Sequence, residues 1–138
     1  MEANELRIGN YCEYYIEDKM EKSDPGFWVK NKIDLQDIEC CLNNKEHFDK
    51  FYRAMPLTDE LLEKCGFEFI NSNNNYGWIK NCDNRQLCWC HSDFISIEFK
   101  PSQFDEFGDT IFDIKAIYLH QLQNLIFALT GTELEIKL

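Results

Sequence analysis

Between Phe67 and about Ile117, apolar and polar residues alternate in short runs, and turn-forming residues separate the runs. A period of two puts successive side chains on opposite faces of an extended chain, which restricts this half of the sequence to sheet. Phe67-Glu68-Phe69 opens the pattern. Asn71 to Asn75 turns the chain into Tyr76-Gly77-Trp78-Ile79-Lys80, and Cys82-Asp83-Asn84 turns it again before Gln86 to His91. Ile95, Ile97 and Phe99 then alternate with Ser96, Glu98 and Lys100. Pro101 and the acidic stretch Asp105-Glu106-Phe107-Gly108-Asp109 read as a loop, and Ile111 to Ile117 as one more strand. Strands joined by turns of this kind predict a meander of four or five antiparallel strands.

The N-terminal segment alternates too. Leu6, Ile8, Cys12, Tyr14 and Ile16 fall on one face of a strand, with Arg7, Glu13 and Glu17 on the other. After the turn signal Ser23-Asp24-Pro25-Gly26, Phe27, Val29 and Ile33 alternate with Trp28, Lys30 and Lys32, which completes an antiparallel hairpin. Asp34 caps a short helix with a stripe of Leu35, Ile38, Cys41 and Leu42, ending at Asn43-Asn44. Residues 45–56 read as a linker with aromatic anchors Phe48, Phe51 and Tyr52. Thr58 is the N-cap of the next helix, Asp59 and Glu60 occupy its positive first turn, and Gly66 supplies the left-handed residue that ends it.

The last helix runs from about Tyr118 to Thr130 and closes at Gly131, with Tyr118, Leu119, Leu122, Leu125, Ile126 and Leu129 as its core-facing stripe. Leu134, Ile136 and Leu138 alternate with Glu133, Glu135 and Lys137, predicting a final strand. The expected fold class is α+β: an antiparallel sheet of five to seven strands, one long C-terminal helix and two short helices. It is expected as one domain over 1–138, with hairpin and short helices in 1–66 and meander and last helix in 67–138.

Hydrophobic residues make up 44% of the 138 and aromatic residues 14%, enough for a real core. No apolar run approaches the ~20 residues that span a bilayer. Met1-Glu2-Ala3-Asn4-Glu5 is acidic where a secretory signal is basic, so a cytoplasmic protein is expected. The seven cysteines are odd in number and Cys40 adjoins Cys41, which fits reduced, half-buried small hydrophobes better than a disulfide framework. The net charge of −11 repels nucleic acid and anionic membrane, so neither is an expected partner, and attracts a basic protein surface.

Several constellations carry residue types suited to chemistry. Cys82, Cys88, Cys90 and His91 carry zinc's preferred donors, but Cys88-Trp89-Cys90 lacks the spacing of a metal knuckle and suits ordinary strand residues. Pairing of a cysteine with His47, His91 or His120 lacks a glycine-flanked elbow or a helix N-terminus to activate the thiol. Asp105, Glu106 and Asp109 depart from the calcium-loop order, and the scattered glycines form no nucleotide-binding motif. No catalytic, metal or cofactor site is therefore expected, and no cofactor. On the last helix His120, Gln123, Asn124 and Phe127 point away from the apolar stripe; an aromatic flanked by amides on an outer face reads as a partner surface, unless the helix packs on both sides.

Three stretches, Leu6-Arg7-Ile8-Gly9-Asn10-Tyr11, Met55 to Phe67 (MPLTDELLEKCGF) and Leu119 to Gly131 (LHQLQNLIFALTG), together resemble a group of uncharacterised proteins encoded by bacterial prophages and other mobile elements. The resemblance implies an accessory role in a bacterial host cell and carries over no catalytic residue. With the acidic charge, it leads to the expectation of a non-enzymatic protein that binds a host protein. The concrete version is an inhibitor of a basic, nucleic-acid-binding defence nuclease complex, of the anti-CRISPR type. Expected contacts are His120, Gln123, Asn124 and Phe127, with Asp105, Glu106 and Asp109. The alternatives are a small-molecule or nucleotide-binding protein with a pocket between sheet and last helix, lined by Trp78, Trp89 and Tyr118, and a structural component of a phage particle.

Overall fold

A computed structural model describes residues 1–17, 26–72, 75–82, 85–89, 94–99 and 111–137. The fold is α+β. The chain divides into two compact units, one of Met1–Pro56 with Tyr118–Asn124 and one of Leu57–Ile117 with Leu125–Leu138.

In the first unit, β1 (Tyr11–Ile16) pairs antiparallel with β2 (Phe27–Lys32), from Tyr11 opposite Lys32 to Ile16 opposite Phe27. The hairpin is thus as expected, but it starts later. Residues 3–5 form a 3₁₀ turn, and Gly9 holds φ +91°, a value that breaks an extended run and that L side chains rarely adopt. Leu6 is buried while Ile8 is 60% exposed, so the two do not continue one strand face.

The helix α1 (Leu35–Asn43) begins at Asp34 as expected, with the Asp34 carboxylate accepting the Asp37 N–H at 3.0 Å. Its buried positions are Asp37 and Cys41; Leu35 and Leu42 of the expected stripe are both more than half exposed. The expected linker is instead α2 (Lys45–Phe51) followed by β3 (Tyr52–Arg53), which pairs with β1 on the side opposite β2. Asn44 allows this turnover. Its N–H caps α1 on the Cys40 carbonyl, and its side chain accepts the His47 N–H at the start of α2. Leu6, Cys12, Ile33, Cys41 and Phe48 form the core, with Tyr52 stacked on Phe48 at a ring separation of 4.3 Å.

In the second unit, α3 (Asp59–Lys64) carries each predicted cap. Thr58 Oγ1 accepts the Leu61 N–H at 3.3 Å. Gly66 sits at φ +75°, its N–H bonded to the Glu63 carbonyl and that of Phe67 to the Leu62 carbonyl. These are the two bonds of a Schellman motif. A sheet follows in simple meander order: β4 (Glu68–Ser72), β5 (Asn75–Cys82), β6 (Arg85–Trp89), β7 (Phe94–Phe99) and β8 (Ile111–Lys115). Its register places Trp78 opposite Trp89 and Trp89 opposite Ile95, with Leu87 and Ile95 fully buried. The described strands therefore form two sheets, of three and five strands, rather than one.

The last helix, α4 (Leu119–Thr130), ends at Gly131 as expected, and gives its first half to the first unit and its second half to the second. The predicted final strand does not form over the described residues to 137. Leu134 is buried there, and the Lys137 N–H bonds the Lys64 carbonyl instead of a strand partner. Among the described residues, no helix is long and apolar enough to cross a membrane.

Candidate functional site

Three residues of the predicted outer face of α4, His120, Gln123 and Asn124, lie in the first unit, and the two amides are spent on the N-terminal segment. Gln123 is fully buried; its Oε1 accepts the Tyr11 N–H at 2.8 Å and its Nε2 donates to the Gly9 carbonyl at 3.3 Å. One side-chain amide thereby takes the place of a strand neighbour on either side of Asn10. Asn124 Nδ2 donates to the Glu5 carbonyl at 2.7 Å, and its Oδ1 accepts from Asn10 Nδ2 at 3.1 Å. Asn10, itself fully buried, accepts the Arg7 N–H at 2.7 Å. Buried amides must find partners, and the turn around Gly9 exposes the backbone groups that supply them.

This arrangement corrects the expected contact patch. His120 and Gln123 are each 1% exposed, and Asn124 is half-buried. The helix packs on the face that periodicity alone assigned to solvent. Phe127, in the second unit, is 37% exposed, and Asp105, Glu106 and Asp109 lie outside the described residues.

His120 differs from its neighbours. Neither Nδ1 nor Nε2 has a hydrogen-bond partner, although both are buried. The ring stacks on Tyr118 at 5.8 Å and lines a cleft of about 500 Å³ in the first unit. Burial pushes its pKa down, with nearby Glu5 partly opposing, so the imidazole is held neutral with one donor and one acceptor nitrogen.

The cleft walls carry both signs of charge. Lys45 from α2 pairs with Asp49 one turn along and lies 3.6 Å from Glu2. Arg53 of β3 donates from Nε to Glu13 at 2.5 Å, and its guanidinium covers the Trp28 ring at 4.1 Å. Tyr52 adds an aromatic wall. Its hydroxyl donates to Asp37 Oδ1 at 2.5 Å, and burial followed by this bond raises its pKa, so it stays a phenol. Asp37 Oδ2 meanwhile accepts the Asp34 N–H at 2.9 Å, closing a reciprocal cap on α1.

The buried thiols of Cys12 and Cys65 are held protonated. Burial pushes Cys12 up to about 12 and Cys65 up to about 11, so neither is a thiolate at neutral pH. Cys82 is buried and Cys88 half-buried, while Cys90 and His91 lie outside the described residues. Among the described residues no group of three or more His, Cys, Asp or Glu is placed to hold a metal ion. His47 lies on α2 with its ring against Phe51 at 4.6 Å. Trp78 and Trp89 belong to the second unit, whereas Tyr118 belongs to the first and lines the His120 cleft.

Sequence reasoning missed Asn10, Asp37, Lys45 and Arg53. The Asp34-x-x-Asp37 spacing is a legible capping signal for one of them. Asn10 and Arg53 are held by pairings across long stretches of chain, which no local pattern announces, and Lys45 pairs with Asp49 one turn along a helix expected to be a linker. Comparison with protein families, with curated proteins and with solved structures finds no match for the chain.

Proposed function

We propose that the protein is a non-enzymatic acidic accessory protein that binds a host macromolecule, most concretely an inhibitor of a bacterial defence nuclease of the anti-CRISPR type. The observation that carries this reading is the net charge of −11 on 138 residues. Such a field steers the protein toward a basic channel and away from bare nucleic acid. Phe127 is the exposed aromatic contact, joined by half-buried Asn124 and the acidic residues Asp105, Glu106 and Asp109, whereas His120 and Gln123 are buried and offer no contact surface. The reading is tested by incubating the purified protein with purified defence nuclease complexes of its host and measuring cleavage. Inhibition that weakens as salt rises, and weakens further in Phe127→Ala, supports it. Unchanged cleavage by every complex sinks it.

A second reading, a small-molecule-binding protein, is favoured by the His120 cleft. A volume of about 500 Å³ falls within the range of ligand sites, and a buried imidazole with two unused nitrogens is a polar group awaiting a partner. The pocket in this reading lies in the first unit, not among Trp78, Trp89 and Tyr118 as expected. Ring-labelled histidine NMR tests it directly, because an occupied cleft moves the His120 nitrogen signals.

A further inference from the structure

Four residues buried among the described positions are polar or charged: Asn10, Asp37, His120 and Gln123. Asn10, Asp37 and Gln123 are each hydrogen-bonded within the protein. His120 is not, although an unsatisfied buried polar group costs about 1–3 kcal/mol. The ring lines a cleft of ligand size at 1% exposure with both nitrogens closed off, so a partner entering the cleft reaches them by displacing the wall around them.

The charges around that cleft restrict what the partner is. Lys45 is held between Asp49 and Glu2, and Arg53 is bonded to Glu13. A ligand with only negative charge meets Glu2, Glu5 and Asp49 and must compete with them for the cations. A ligand with only positive charge meets Lys45 and Arg53. A ligand carrying both signs joins the existing pairs on each side without leaving a charge uncompensated. Tyr118, stacked on the imidazole, and Tyr52, elsewhere in the lining, are aromatic rings suited to a short apolar stem.

We propose that the His120 cleft binds a small zwitterion of the α-amino acid or dipeptide class, with His120 hydrogen-bonded to its polar group and Lys45 and Arg53 set against its carboxylate. The proposal rests on reading the cleft as a ligand site and adds the chemical class of the ligand. The ammonium end faces the Glu2, Glu5 and Asp49 carboxylates. Full burial of His120 gives its hydrogen bond the selectivity, because a ligand that cannot reach the imidazole leaves it unpaired.

The test uses the full chain with ring-¹⁵N histidine and a panel of probes: the free L-amino acids and glycyl dipeptides, their N-acetyl amides, acetate and ethylamine. The expected result is that at least one free amino acid or dipeptide shifts the His120 nitrogen signals in a saturable way, while the blocked amides and single-charge probes do not. In Lys45→Met the affinity is expected to fall about tenfold, the scale of one lost charged contact. His120→Phe, followed by titration calorimetry because it lacks the His120 signals, is expected to abolish binding while unfolding cooperatively. If only the blocked amides, acetate or ethylamine shift the signals, the zwitterion class is overturned and the cleft remains a ligand site. If no probe moves them, both the class and the ligand site are overturned. The wild-type NMR readout does not depend on whether either variant folds.

Discussion

The two compact units solve the problem of burying their backbone in different ways. The second closes most of its hydrogen bonds locally: each strand of the meander pairs with the next in sequence, and α3 is capped by Thr58 and Gly66 at its own ends, with Leu57 to Ile117 and Lys137 to Lys64 as longer links. The first closes them at a distance. Gln123 and Asn124 reach back more than a hundred positions to Gly9, Tyr11, Glu5 and Asn10. The first unit also holds all four buried polar or charged residues found among the described positions. Polar groups placed inside by design of this kind specify one arrangement strongly, and they make it expensive to disturb. The second unit draws on side-chain pairs such as Phe69 with Trp78, whose rings lie 5.3 Å apart, where losses are graded and local.

The largest expected effect follows from cutting the amide clamp. Gln123→Ala leaves the Gly9 carbonyl and the Tyr11 N–H without their partner in a partly buried setting, at about 1–3 kcal/mol each. A total loss of about 3 kcal/mol or more is expected in urea unfolding. Hydrogen exchange should accelerate most at the Tyr11 and Ile33 amides, and less at the β5–β6 pairing. Equal acceleration everywhere breaks the contrast between the units. Asp37→Ala comes next. It removes the reciprocal cap with Asp34 and strips the Tyr52 hydroxyl of its acceptor, for an expected loss of about 2 kcal/mol. Asp37→Asn, which keeps an acceptor oxygen, should recover part of that loss; no recovery indicates that the charge matters beyond the geometry.

A substitution in the second unit sharpens the comparison from the other side. Gly66→Ala places a Cβ at φ +75°, with Lys80 Nζ 2.9 Å from it, and Lys80 can move because it is the end of a flexible chain. The strain of a left-handed alanine is then the main term, about 1 kcal/mol. Equilibrium unfolding checks the size, and a loss as large as that of Gln123→Ala contradicts the idea that damage here stays local.

The same division decides what the sequence reveals. Thr58, Asp59, Glu60 and Gly66 announced α3, and strict alternation announced the meander, because both depend on neighbours a few residues apart. α2 went unread. Its cap, Asn44, serves also as the end of α1, and its short amphipathic run resembles a linker with aromatic anchors. The polar face of α4 is ambiguous in sequence for a related reason. Periodicity separates apolar from polar positions, but it does not say whether a polar position meets water or a buried backbone. Glutamine and asparagine satisfy either. His120 is the same ambiguity at its sharpest: the sequence gives an imidazole beside amides, and only the fold shows that it lacks a partner.

That lack gives the smallest expected effect and the most selective one. His120 makes no hydrogen bond within the protein, so His120→Phe removes no bond and keeps an aromatic ring against Tyr118. Near pH 8 its stability is expected within about 1 kcal/mol of the parent, the usual range for a swap of similar volume. The pH dependence should differ more. Burial holds the folded-state pKa of His120 below its ordinary value of 6.5, so between those two values the unfolded chain binds the extra proton and the folded chain does not. The stability that neutral His120 allows is therefore fully present above about pH 6.5 and is lost as pH falls from there through the folded-state pKa. His47 and His91 remain in the variant, so subtracting its unfolding curve from the parent's isolates the His120 contribution. The difference should be flat above neutrality and move in favour of the phenylalanine variant toward about pH 5. A difference that stays flat to that pH means that His120 is as well solvated, or as well partnered, in the folded protein as in the unfolded chain, and it removes the physical reason for a ligand to be drawn to it.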